Sequence, residues 1–198
     1  MNEKISREMM EFIKSHPSSF HVADGLAQIL SDNGFERLYE NEKWKLQKGR
    51  DYYVMRNGSS LIAFRIPEGE VHNFQMVASH SDSPSFKIKE NPEMVSAGHY
   101  VELNAEKYGG MLCAPWFDRP LSIAGRVMVR ADGGVKQRLI NFDRDLVMIP
   151  NLAIHMDRNL NDGYKYNAQK DMIPIWGDEA SEGSFDEMVA AECGAYSI

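Results

Sequence analysis

The sequence predicts an α/β protein in two parts, a helix-and-strand region over residues 1–84 and a strand-rich region over 85–198. Three observations predict it. Apolar residues recur at helical spacing through the first 30 positions, an Asn-Gly pair joins two strand-like runs near position 57, and short strand-like runs dominate the second half.

The elements follow in order. Ile5, Met9, Phe12 and Ile13 form one helical stripe, which His16-Pro17-Ser18-Ser19 stops while starting another. In the second helix Val22, Leu26, Ile29 and Leu30 share a face, and Asn33-Gly34 closes it. Tyr52 to Arg56 and Leu61 to Ile66 flank Asn57-Gly58, whose positive φ angles suit a tight hairpin. Phe74 to Ala78 reads as a short apolar strand, open to burial on both faces, that delivers Ser79-His80-Ser81-Asp82 to its end. Pro84 prevents a central strand from continuing there.

Beyond Pro84, Val101, Leu103 and Ala105 alternate with Glu102, Asn104 and Glu106, the pattern of a half-buried strand. Leu121 to Val129 reads as another, ended by Asp132-Gly133-Gly134. Leu146 to Ile149 and Met172 to Trp176 are short strands around an Asn-rich loop at 159–167. Ser184 to Cys193 reads as a helix opened by a capping box and closed by Gly194.

Composition narrows the function classes. The 198 residues are 43% hydrophobic and 26% charged, as in an ordinary soluble globular protein, with a net charge of −7. An acidic chain has no basic footprint for nucleic acid or an anionic membrane. No apolar run approaches the roughly 20 residues that span a bilayer, and the N-terminus has no signal-peptide pattern, so a cytoplasmic location is expected. Cys113 and Cys193 make neither a disulfide framework nor a four-cysteine zinc site, and no glycine-rich phosphate loop occurs.

The sharpest chemical feature is His80-Ser81-Asp82. A histidine at a strand end can face a metal ion, and a carboxylate two residues on can orient its ring from behind. Imidazole suits zinc or cobalt, which acidify a bound water into a nucleophile near neutral pH. Alone, a histidine and an aspartate two residues apart occur often by chance, and a strand-end histidine bonded to a nearby carboxylate without any metal is the more ordinary reading. His16, His21, His72 and His99 read as surface residues, whereas apolar neighbours place His155 on a short ordered segment. Asp118 and Arg119 are candidates for a local pair, and Trp116-Phe117 reads equally as inward packing or as an interface anchor.

Three stretches, ASHSDSP at 78–84, KYGGMLCAPWFDRPLSIAGRVMVR at 107–130 and MIPNLAIHMDR at 148–158, carry a more specific signal. In content, order and spacing they resemble the aspartyl aminopeptidase and vacuolar aminopeptidase I family of zinc metallopeptidases. The resemblance implies the N-terminal part of a zinc-exopeptidase-like mixed-sheet catalytic domain over 1–84, incomplete, followed by a strand-rich dimerisation domain over 85–198 that lacks part of its end. It implies hydrolysis of N-terminal, often acidic, residues from peptides by metal-activated water. The cofactor implied is two zinc ions per complete active site, with cobalt or manganese as alternatives.

On this resemblance His80 is a metal ligand and Asp82 the carboxylate that orients it. His155 is offered to the active site of a neighbouring subunit, where holding the substrate carbonyl oxygen is the favoured role and metal ligation the other. Self-association into dimers or dodecamers is implied, with a peptide substrate and neither nucleic acid nor membrane as partner. Family members are much longer and carry further metal-binding Asp, Glu and His residues in their later half. After Met172 this chain has Asp178, Glu179, Glu182, Asp186, Glu187 and Glu192 but no histidine, and acidic residues at a helix start are ordinary helix chemistry. The expectation is an N-terminal fragment, inactive and metal-poor alone, that self-associates through exposed strand edges or its dimerisation domain. The alternatives are a stand-alone assembly module without catalysis, and a relative acting on acylated amino acids or on other N-terminal residues.

Overall fold

The computed structural model describes residues 3–131 and 133–194. The chain divides into two compact units, Met1–Ser83 and Pro84–Ile198.

The first unit opens with α1 (Glu3–Ser15) and α2 (Ser19–Asp32). The residue before a proline is kept out of the helical region, so α1 ends ahead of His16-Pro17. His16 folds back, its ring 4.1 Å from that of Phe12. Ser18 caps α2 by accepting from the His21 N–H. At the other end Gly34 takes a φ of +83°, and its N–H reaches Ser31 O while that of Phe35 reaches Leu30 O, both at 3.0 Å. That pairing is a Schellman closure, as the Asn33-Gly34 signal requires.

The buried faces differ from the expected stripes. No residue of α1 is buried, and Ile5, Met9 and Ile13 are more than half exposed. In α2 the buried positions are Ala23 and Ala27, one turn apart, while Leu26 and Ile29 are exposed. Small side chains let the helix lie close to the sheet it covers, and the Ser31 hydroxyl hydrogen-bonds the Tyr53 hydroxyl at 2.9 Å.

That sheet has the order β1-β2-β3, with β1 (Glu36–Leu38) parallel to β2 (Asp51–Arg56) and β2 antiparallel to β3 (Ser60–Arg65). Asn57 and Gly58 turn the hairpin at φ +54° and +67°. Tyr53 faces α2, whereas Tyr52 packs by Phe64 and accepts from the Gln47 N–H. Both tyrosines are buried, so β2 is covered on its two faces. The opposed residues Asp51 and Arg65 form a two-pronged ion pair at 2.6 Å.

Phe74 to Ala78 forms no strand. Phe74, Met76 and Val77 are 84%, 84% and 99% exposed. An extended apolar run becomes a strand only when a neighbour supplies ladder bonds, and the three-stranded sheet does not include it.

In the second unit β4 (Ser85–Ser96) and β5 (Tyr100–Tyr108) form a long hairpin whose register shifts between Ile88 and Glu93. With β6 (Pro120–Leu121), β9 (Val147–Met148) and β10 (Ile175–Asp178) they build a sheet of order β4-β5-β10-β9-β6. The run expected as one strand from Leu121 to Val129 is interrupted, and β7 (Ala124–Ala131) pairs with β8 (Gly134–Asn141) as a separate ribbon. Asp132, expected in its turn, lies outside the described residues, while Gly133 takes a φ of +88°.

Val101, Leu103 and Ala105 of β5 are buried as their alternation requires. Leu103 meets Ile140, Val147, Phe185 and Val189 in one cluster. Phe117, Ile149 and Met172 form a second. Met172 was expected in a strand, but it follows the short helix α3 (Ala168–Asp171) and sits in this core, so β10 begins only at Ile175.

The helix α4 (Ser184–Glu192) ends at Gly194, at φ +61°. Its start is not a capping box. Gly183 is the N-cap, and the Glu93 carboxylate of β4 accepts from the N–H groups of Gly183 and Phe185. Ser184 instead accepts from Trp176 Nε1 and donates to Ser181 O. Among the described residues no helix is long and apolar enough to cross a membrane.

Candidate functional site

His80 sits in the extended segment that follows β3, not at the end of a strand. Its local geometry does not need one. Nδ1 lies 2.9 Å from the Asp82 main-chain oxygen and 3.0 Å from Asp82 Oδ1. Both partners are acceptors, so Nδ1 carries a proton, and in the neutral ring the lone pair falls on Nε2. The side chain is 82% exposed, which leaves that lone pair open to a ligand. Ser81 ties the segment down by donating to Ser59 O at the hairpin turn. A pinned tautomer with a carboxylate behind it is the form in which imidazole binds a metal.

The arrangement stops at one ligand. Among the described residues no three His, Cys, Asp or Glu side chains gather into a group able to hold a metal ion. Zinc takes three or four protein ligands, so these residues do not fit a zinc ion by themselves. The acidic residues after Met172 have structural roles where they are bonded, as where Asp178 caps a short 3₁₀ turn through the Ala180 N–H.

His155 is in the second unit, exposed, inside a turn closed by Met156 N–H to Ala153 O at 2.8 Å. The apolar neighbours expected to hold it do not pack around it, since Leu152, Ile154 and Met156 are 50%, 43% and 76% exposed. What holds the segment is its base. Phe117 bridges Ile149, the Asp118 N–H donates to Ile149 O, and Asp118 Oδ1 accepts from the Asn151 N–H, each at 2.9 Å in the last two cases. The sequence pointed to an Asp118–Arg119 pair, but the carboxylate serves a backbone amide 33 positions away. Nothing local in the sequence announces that bond, although Asp is among the few residues that tolerate the φ of +54° found at Asp118.

The remaining candidates have structural roles. Phe117 packs inward, and Trp116 meets Phe86 edge-on at 5.1 Å. Both cysteines are free thiols. Burial, and then Glu192, push the Cys193 thiol up, which keeps it protonated and a poor nucleophile. His21 lies against its cap Ser18, and burial, followed by His16, lowers its pKa.

The fold agrees with what the chain is similar to. Residues 12–192 match the family model described as aminopeptidase I zinc metalloprotease (M18). A protein of Clostridium acetobutylicum named "Probable M18 family aminopeptidase 2" is 47% identical over 178 residues, which are 88% of this chain and 41% of that relative. The solved structure of mApe1 from Chaetomium thermophilum superposes with a TM-score of 0.89 at 27% identity, over 98% of this chain and 48% of the other. The mApe1 dodecamer structure from Saccharomyces, at 24% identity and a TM-score of 0.75 over 96% of this chain and 44% of that one, shares the fold. The class is therefore that of the zinc metalloproteases. Within it, the chain belongs to the aminopeptidase I (M18) family, a family of hydrolases. It spans about 41% of the length of the curated relatives it matches.

Proposed function

We propose that this chain is the His80-bearing part of a zinc aminopeptidase that removes N-terminal residues, acidic ones among them, from peptides. The observation that carries the reading is His80, whose Nδ1 is fixed by Asp82 so that Nε2 is free to bind metal. The remaining ligands come from the part of the family's length that the chain does not span. Two metal ions, with cobalt or manganese able to replace zinc, complete the centre. Residues 1–84 are the incomplete catalytic part and 85–198 the dimerisation domain.

In this reading His155 reaches the active site of a neighbouring subunit and holds the substrate carbonyl oxygen, where a donor stabilises developing negative charge. An exposed histidine on a braced loop supports that role, and the dodecamer solved for the yeast relative supports self-association. The location is cytoplasmic. The chain alone is inactive because it brings one ligand where a centre needs several. A stand-alone assembly module is the weaker reading, since the family match runs through His80 and not only through the second unit.

The test is zinc titration of the purified 198-residue chain together with hydrolysis of aspartyl, glutamyl and leucyl p-nitroanilides. Weak, sub-stoichiometric zinc binding that disappears in His80→Ala, with no hydrolysis, is the expected result. Hydrolysis with about two zinc ions per chain would overturn the claim that the centre is incomplete. Unchanged weak binding in His80→Ala would remove His80 as a ligand.

A further inference from the structure

Asp118 does more for the His155 loop than close a turn. Its main-chain N–H donates to Ile149 O and its Oδ1 accepts from the Asn151 N–H, both at 2.9 Å, so one residue grips the strand exit on both sides of Pro150. That grip is anchored inward, because the preceding Phe117 and the gripped Ile149 are both buried and pack in one cluster with Met172. It is also continued outward. Asn151 Oδ1 accepts from the Leu152 N–H at 2.9 Å, and Ala153 O accepts from the Met156 N–H at 2.8 Å. Asp118 thus fixes the backbone at Asn151, two residues before the Ala153–Met156 turn that holds His155, and the side chains beside His155 are exposed and brace nothing.

We propose that Asp118 is a positioning residue for His155, setting where the loop carries its imidazole. The inference rests on the reading of His155 as a substrate-facing group. Aspartate suits the task in two ways. It tolerates the left-handed φ of +54° that turns the chain here, and it offers a charged acceptor, which makes a stronger bond to an amide than a neutral one does. Asparagine keeps the tolerance of this φ and offers a neutral acceptor oxygen in place of the charged one, whereas glycine retains only the φ.

The experiment is nuclear magnetic resonance on the isotope-labelled 198-residue chain, comparing wild type, Asp118→Gly and Asp118→Asn. In Asp118→Gly the Asn151 amide is expected to exchange about tenfold faster, the effect of losing one hydrogen bond. The His155 backbone-amide and ring signals move from their wild-type positions in the same variant. Asp118→Asn restores both readouts. His155 signals identical in wild type and in a folded Asp118→Gly chain would overturn the proposal. If Asp118→Gly does not fold, Asp118→Ser decides instead, because its shorter, neutral side chain cannot hold the Asn151 amide as the carboxylate does. His155 signals identical to wild type in a folded Asp118→Ser chain whose Asn151 amide exchanges faster refute the proposal. Failure of the underlying reading shows elsewhere: the His155 ring signals of the histidine-bearing chain still depend on Asp118, while His155→Gln introduced into a complete, active aminopeptidase carrying this segment leaves hydrolysis unchanged.

Discussion

In the second unit Val101, Leu103 and Ala105 of β5 are sealed to 0–2% exposure, whereas in the first unit Phe74, Met76 and Val77 stand 84–99% exposed. All six side chains are apolar, so their own hydrophobicity does not separate the two sets. The difference is the partner. β5 has hydrogen-bonded strands on its two edges, while the Phe74 run belongs to neither side of its three-stranded sheet. The α1 face repeats the lesson. Fully burying Ile5 or Ile13 is worth about 1.5–3 kcal/mol each, a contribution α1 forgoes. Its ion pairs, such as Arg7–Glu3 at 2.9 Å, contribute about 0.2–0.5 kcal/mol and do not replace it.

The contrast is broken most directly in the second unit. Leu103→Ala empties a fully buried site between Val147, Ile140 and Phe185, and should lower unfolding stability by about 2–5 kcal/mol in urea denaturation. A loss under 1 kcal/mol would mean that this core is not tightly packed. Next comes Glu93→Ala, which strips the carboxylate from two amide groups at the start of α4. The cost should be about 1 kcal/mol, seen as early loss of helical signal on heating.

The pH response of the first unit is smaller. His21 has a folded pKa below 6.5 because burial penalises its charged form. The unfolded chain therefore binds the proton more readily, and stability should fall as pH drops through 6.5 toward the lower folded value. Above that range His21 adds no slope. Comparing urea midpoints of wild type and His21→Asn at pH 8 and pH 5 checks this, and a wild-type midpoint that rises on acidification relative to the variant refutes it.

Smallest in stability is Val77→Ser, within about 0.5 kcal/mol, because the side chain is already in water. The paired substitution Phe74→Ser with Val77→Ser should nevertheless weaken self-association in sedimentation velocity, as exposed apolar patches drive it. Unchanged sedimentation would show that these residues do not join copies of the chain.

What could be read in the sequence was what neighbouring residues decide among themselves. Asn33-Gly34, Asn57-Gly58 and the β5 alternation each announce their own geometry, and so does His80-Ser81-Asp82, whose hydrogen bonds span two positions. What could not be read depends on distant partners. β8 carries mostly exposed polar residues and exists because β7 lies beside it, and β4 is broken in register around Pro92. The Asp118–Asn151 bond joins residues 33 apart, so neither residue marks the other. The Phe74 run fails for the opposite reason, since its local pattern promises a strand that no described neighbour completes.

The Glu93 cap on α4 also bears on how the chain folds. The amides it satisfies lie 90 and 92 positions later, so the final helix gains its start signal only after most of the second unit has been brought together. Closing so long a loop costs entropy before any contact rewards it, and topologies dominated by distant contacts fold slowly. On a growing polypeptide the β4–β5 hairpin is made early, yet α4 is left without its cap until the residues around Gly183 have emerged. The hairpin and the helix should then lock and melt as one cooperative block, with the helix frayed at its start in every state that lacks the hairpin.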